Sequence, residues 1–153
     1  PGRGLWLSAA RDMVHTASKK GLFAKAARGK VSVPEDLADD VEGLLARRCL
    51  NLIGLARRAG QMVGGFEKVR AWIGAGKGGL LLVATDAGKS GRKKVKALAP
   101  DLPVIDLFAG AELGGAIGRD RTVHGVVRSG KMADRLLEES GRLRGFRQRI
   151  SVE

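Results

Sequence analysis

Leu80-Leu81-Leu82-Val83-Ala84-Thr85-Asp86-Ala87-Gly88-Lys89-Ser90 is the stretch on which the fold turns. Its apolar opening is far shorter than the ~20 residues that cross a bilayer. It has the length and composition of a strand covered on both faces. A polar loop follows, then a basic segment with helical character over 92–99 that Pro100 halts. A buried strand passed through a loop to a helix is the building unit of an α/β protein.

The same stretch imitates a nucleotide-binding loop. That motif needs a glycine five residues before Gly88, so that backbone amides can wrap the phosphates. The position is Val83, inside the strand, which leaves a loop too short to cradle a triphosphate. No acidic strand end supplies a clear magnesium partner. What remains is a helix start carrying Lys89, Arg92, Lys93 and Lys94, where free N–H groups and the helix dipole suit an isolated phosphate. A nucleotide-dependent enzyme stays open as an alternative only through Gly88-Lys89-Ser90.

Outward from this unit, strands and helices alternate. Strands are predicted over 61–63, 80–85, 104–107 and 122–127, and helices over 66–75, 92–99, 111–117 and 131–139. This spacing predicts an α/β sandwich with a mainly parallel sheet. The basic segment 142–153 lacks a pattern and reads as a frayed tail. Toward the amino terminus, Ser8 is an expected cap for a helix over 9–19 that Gly21 stops. A short helix over 22–27 ends at Gly29. Pro34, Glu35 and Asp36 then open a long helix that reaches Ala59, with or without a break near Arg47-Arg48, and Gly60 closes it.

Electrostatics narrow the function. The 153 residues carry a formal charge of +12, with a pI of about 10.7. Residues 1–48 hold nine Lys/Arg against six Asp/Glu, and the remainder nineteen against ten. Such a balance calls for a polyanion, above all nucleic acid. With no membrane-spanning run and no signal-peptide pattern, a cytoplasmic protein with no membrane partner is expected. The start at Pro1 is what a truncated or processed chain would show.

The single cysteine, Cys49, rules out an internal disulfide and a cysteine-cluster metal site, and it lies in an apolar run that reads as core. His15 and His124 are far apart in sequence. There is no nucleophile elbow and no carboxylate pair outside helix faces, so no catalytic residue, cofactor or metal is expected. Aromatics are 4% of the chain with no Tyr, which argues against base-stacking sheets. Trp6 and Trp72 read as core or rim.

Three loops are the candidate contact points. Gly64-Gly65 before the helix at 66 permits close backbone approach. The 86–92 loop carries Asp86 and its cations, and Gly118-Arg119-Asp120-Arg121 forms a basic turn. Loops after parallel strands gather on one edge of an open sheet. That rule is expected to unite Gly64-Gly65, the 86–92 loop and the Arg128-Ser129-Gly130 turn, with Arg119 and Arg121 extending the positive edge.

Several motifs in this order and spacing resemble the bacterial YlxQ-like proteins of the ribosomal L-seven-Ae/L-thirty-e superfamily. They are Leu52-Ile-Gly-Leu-Ala-Arg-Arg-Ala-Gly60, Gly65, Leu80 to Asp86, Pro103-Val104, and Leu113-Gly114-x-Ala-Ile-Gly118. The resemblance implies a three-layer α/β/α sandwich over 46–141 that binds structured RNA, in relatives often kink-turns. Kink-turn binders carry Gly-x-Asn-Glu-x-x-Lys at this strand–helix junction. Here Gly65 is kept, while Glu67, Lys68 and Ala71 fill the other three positions.

Pro1-Gly2-Arg3-Gly4, Trp6 and the following basic helix resemble the second half of the YlxR family, which implies a small, mainly helical partial module over 1–45. A second basic surface of Arg3, Lys19, Lys20 and Lys25 follows from it. The expected RNA-contacting set is Gly64, Gly65, Glu67, Lys68, Arg70, Asp86, Lys89, Arg92, Lys93, Arg119 and Arg121. The expected role lies in ribosome assembly or transcription–translation coupling. The alternative is an adaptor that docks an acidic transcription or translation factor.

Overall fold

The structure, a computed structural model, describes residues 6–29, 32–33 and 35–147. Among the described residues, four strands form one sheet: β1 (Met62–Gly64), β2 (Gly78–Val83), β3 (Val104–Ile105) and β4 (His124–Arg128), in the order β1-β4-β2-β3. In the same described residues seven helices accompany them: α1 (Arg11–Lys19), α2 (Leu22–Ala27), α3 (Leu37–Arg58), α4 (Phe66–Gly74), α5 (Lys89–Leu98), α6 (Gly110–Ala116) and α7 (Lys131–Arg147).

Strand alternation sorts the core into two layers. Met62, Leu80, Leu82, Ile105 and Val127 point to the side covered by α3, α6 and α7, where they meet Cys49, Ile53, Leu113, Leu136 and Leu143. Leu81, Val83 and Val126 point to the other side, against Val69 of α4 and Val95 of α5. The continuous apolar run from Leu80 to Val83 exists because β2 is buried on both faces. The result is a three-layer α/β/α sandwich.

The sheet is mixed, which corrects the expectation of a mainly parallel one. Only β2 and β3 run parallel; β4 is antiparallel to both β1 and β2. The cause is local. Thr122 N–H donates to Gly110 C=O at 2.9 Å, so after seven helical residues the chain doubles back to the point where α6 began. β4 therefore starts from the end of the sheet at which β2 and β3 finish, and it runs back antiparallel between β1 and β2. A parallel return would need a longer crossover to the opposite end.

Most element boundaries shift by only a residue or two. α1 begins at Arg11 after Ala10, without the expected Ser8 side-chain cap. α5 begins at Lys89, nearly a turn before 92. α3 is continuous through Arg47-Arg48 and begins at Leu37; Pro34 lies outside the described residues. The larger correction is α7, which runs on to Arg147 instead of fraying after 139. Leu143 and Phe146 are buried there.

Phe146 joins Val14 of α1 and Ala38 of α3 in a small separate cluster, and Arg11 pairs with both Asp39 and Glu42. One helix, α3, thus serves both this cluster and the main core. Trp6, expected in core or rim, is 96% exposed, while Trp72 does sit at the rim of the α4–α5 layer.

Candidate nucleic-acid interface

The doubled-back chain decides which loops meet. Gly64 ends β1 in a buried position where a Cβ would lie 3.0 Å from Ile117 Cδ1 and 3.2 Å from Thr122 Cγ2. Gly65 has φ +95°, a conformation open to glycine and strained for other residues. Its N–H donates to His124 C=O at 2.9 Å, and α4 begins at the next residue. The glycine pair therefore lets β1 turn into α4 directly against the 117–122 segment.

Three arginines fasten the neighbouring loops together. Arg119 Nη1 donates to Gly64 C=O at 3.3 Å, linking the basic turn to β1. Arg121 Nη2 donates to the Asp86 main-chain carbonyl at 3.3 Å and pairs with its carboxylate at 3.4 Å. Arg92 donates to the carbonyls of Ala84 and Thr85 at 3.1 and 3.2 Å and reaches Asp106 at 3.7 Å. Asp86 also accepts a 2.8 Å hydrogen bond from Gly110 N–H at the start of α6. That bond, followed by one from Asp86's own backbone N–H and then the Arg121 charge, holds the Asp86 carboxyl below its ordinary pKa.

One edge thus gathers Gly64, Gly65, Asp86, Arg92, Arg119 and Arg121. On the two helices that start there, Glu67 and Lys68 lie in the first turn of α4 with Arg70 in the next, and Lys89 and Lys93 lie on α5. All five side chains are exposed. Among the described residues, Lys68, Arg70, Lys89 and Lys93 make no ion pair. Arg128-Ser129-Gly130 does not join them, contrary to expectation. Because β4 is antiparallel, that turn lies at the far end of the sheet, where a Cβ on Gly79 would overlap the Ser129 backbone. Lys19, Lys20 and Lys25 are exposed on or beside α1 and α2, and Arg3 lies outside the described residues.

His124, which the sequence left out of the candidate set, sits beside this edge. Its ring meets Phe66 edge-on at 6.2 Å and sits where a Cβ on Gly91 would be 3.3 Å from Cε1. It therefore spaces the starts of α4 and α5. Nε2 is buried without a hydrogen-bond partner, and burial pushes the imidazole pKa below 6.5. Nothing in the sequence connects residues 66, 91 and 124; only the antiparallel entry of β4 does. Among the described residues, no cluster of His, Cys, Asp or Glu could hold a metal ion, and no helix is long and apolar enough to cross a membrane.

No family model matches the chain. The RNA-binding protein YlxQ of Enterococcus faecium is 40% identical over 86 residues, which take in 55% of this chain and 84% of that protein. The chain belongs to the YlxQ family. A Bacillus halodurans protein of unknown function superposes with a TM-score of 0.58 at 29% identity, over 61% of this chain and 96% of that one. A 15.5 kD RNA-binding protein of Giardia lamblia shares the fold at TM-score 0.52 and 18% identity, over 67% and 89% of the two chains. In this member of the YlxQ family, Glu67, Lys68 and Ala71 follow Gly65, and all three are exposed on α4.

Proposed function

We propose that the chain binds structured RNA through the edge formed by Gly64-Gly65, the loop at Asp86 and the basic turn at Arg119–Arg121. The observation that carries this reading is the pairing of free cations with a stitched loop floor. Lys68 and Lys89 stand exposed in the first turns of two helices, with Lys93 one turn further along α5, beside glycines that admit a backbone closely. Membership of the family of an RNA-binding protein supports RNA over other polyanions.

Phosphates of a bent or A-form RNA would be neutralised by the lysines, with Arg70 at the margin. Glu67 and Lys68 replace the amide and carboxylate with which kink-turn binders read bases, so shape and backbone dominate over base readout. The biological setting we favour is the cytoplasm, on ribosomal or another stable RNA, in ribosome assembly or transcription–translation coupling. Residues 46–141 would form the RNA-binding unit. Residues 1–45 would be a partial YlxR-like module whose Arg3, Lys19, Lys20 and Lys25 add a second basic surface.

The test is affinity for a bulged RNA duplex, measured at 50 and 200 mM salt. Four phosphate contacts, from Lys68, Arg70, Lys89 and Lys93, predict a loss of roughly a hundredfold across that range. The double variant Lys89→Ala/Lys93→Ala removes two contacts and should flatten the salt slope by roughly 1.5, with thermal stability unchanged. Binding no tighter than to heparin at every salt, or an unaltered slope in the double variant, would overturn the reading.

A further inference from the structure

A different surface lies on the outer face of α3. Leu44, Arg47, Arg48, Asn51, Leu55 and Arg58 are all exposed and follow the 3–4 spacing of one helical stripe. Leu44 and Leu55 are 55% and 47% exposed, although α3's other apolar positions largely face the core. A groove of about 600 Å³ runs beside the stripe, between α3 and α6. Its floor is made of small residues: Gly54 approaches α6 so closely that a Cβ would be 2.9 Å from Ala116 O, and Gly115 leaves open space beside it. A smaller hollow of about 210 Å³, between α3 and α7, lies on the other side of Asn51 and Leu55. Leu55 is therefore a ridge between two grooves, a shape that a further helix packs against.

The charge of this face selects the occupant. Arg47 and Arg58 line the larger groove and have no acidic partner among the described residues. Glu112, the acid of that groove, is already held by Arg147 at 3.1 Å. A second copy of this chain would bring arginines against arginines. RNA would find the middle of a helix, with no free backbone N–H groups, and an exposed leucine at its centre. We propose that this ridge docks an acidic amphipathic helix of a partner protein, its leucine-type side chains in the α3–α6 groove and its carboxylates on Arg47 and Arg58.

The probe is a fluorescently labelled synthetic peptide of four to five helical turns, with Leu at the 3–4 spacing and Glu elsewhere. A control peptide has Ser in place of every Leu. Two variants of the full chain are compared with the parent. Leu55→Asp reverses the ridge, and Gly115→Gln places a side chain in the groove at a position where nothing lies within 4 Å. The expected result is saturable binding of the Leu/Glu peptide, weakened about tenfold or more by either variant, a loss the size of one buried leucine contact. RNA affinity should stay within about twofold of the parent, since neither residue belongs to the RNA edge. Three results would overturn the proposal: no binding of the Leu/Glu peptide, equal binding of the Ser control, or loss of RNA affinity in both variants. The second would mean plain charge attraction and the third an RNA surface.

Discussion

Gly114 and Gly115 are neighbours on the same short helix, and the structure predicts opposite consequences for the same substitution. An alanine Cβ at Gly114 would lie 2.7 Å from both N and Cα of Arg121 and 2.8 Å from Arg119 O. All three are main-chain atoms and cannot rotate aside. To reach an ordinary contact of 3.4 Å, the basic turn must retreat by about 0.7 Å, an overpacking displacement. That movement stretches Arg119 N–H to Gly114 C=O, now 2.8 Å, and Thr122 N–H to Gly110 C=O, now 2.9 Å.

Overpacking costs about 1–3 kcal/mol and a weakened hydrogen bond about 1 kcal/mol. Against this stands a gain of up to about 1 kcal/mol in helix propensity. The net is a destabilisation of roughly 2 kcal/mol, or a fall in Tm of roughly 4–8 °C for a chain of this size. At Gly115 nothing lies within 4 Å, so only the propensity gain remains. Gly115→Ala should raise Tm by roughly 2–3 °C. Differential scanning calorimetry of the two variants reads both signs. If RNA binds where proposed, Gly114→Ala should also lose affinity well below its Tm, because Arg119 and Arg121 move with the turn. Tm shifts in the same direction for both variants would refute the reasoning.

Arg147 donates to both carboxylate oxygens of Glu112, to Glu42 and to Leu107 C=O, with its guanidinium over the Phe108 ring. Arg147→Met should cost about 3 kcal/mol in urea unfolding, and Arg147→Lys should recover little because a point charge cannot fork; a change below ~0.5 kcal/mol would restore the frayed tail. Burial holds the His124 pKa below 6.5, so the unfolded chain takes up this proton first. Its stability contribution is complete above that value and is lost as pH falls from there toward the folded pKa. Melting curves at successive pH values through that window should show a decline that His124→Phe reduces, and an identical decline in the variant would assign it to other groups. Burial, with Glu139 adding, pushes the Cys49 thiol up to about 11. Disulfide-exchange labelling at mildly alkaline pH should therefore be slow in the native protein and fast in denaturant, and rapid native labelling would contradict the burial.

The layers were readable in the sequence because they rest on local periodicity. Leu80 to Val83 announces a strand covered on both sides, and α2 matches its expected bounds because Gly21 and the stop after Ala27 are local signals. Strand direction was not readable. It depends on the Thr122–Gly110 hydrogen bond, which folds the chain back beneath α6, and a turn closed across twelve residues leaves no periodic trace. The end of α7 was hidden for a related reason. Gly141, Gly145 and the arginines at 142, 144 and 147 break the apolar pattern, yet Gly145 is what admits the chain at Ala9, whose carbonyl oxygen a Cβ there would overlap.

Charge in the candidate site was legible as a sum and illegible in its division. Sequence treats Arg92, Arg119 and Arg121 as equal to Lys89 and Lys93. The fold does not. The planar fork of each arginine is directed at a main-chain carbonyl, of Ala84 and Thr85, of Gly64, and of Asp86, which a point-charge ammonium matches less well. The arginines therefore assemble the edge, and the lysines remain exposed on its rim. A ligand that draws on the arginines must compete with these internal bonds, whereas one that draws on the lysines meets only water. Net charge of +12 consequently overstates the number of cations free to meet an RNA, and the count that governs the salt slope is the smaller one.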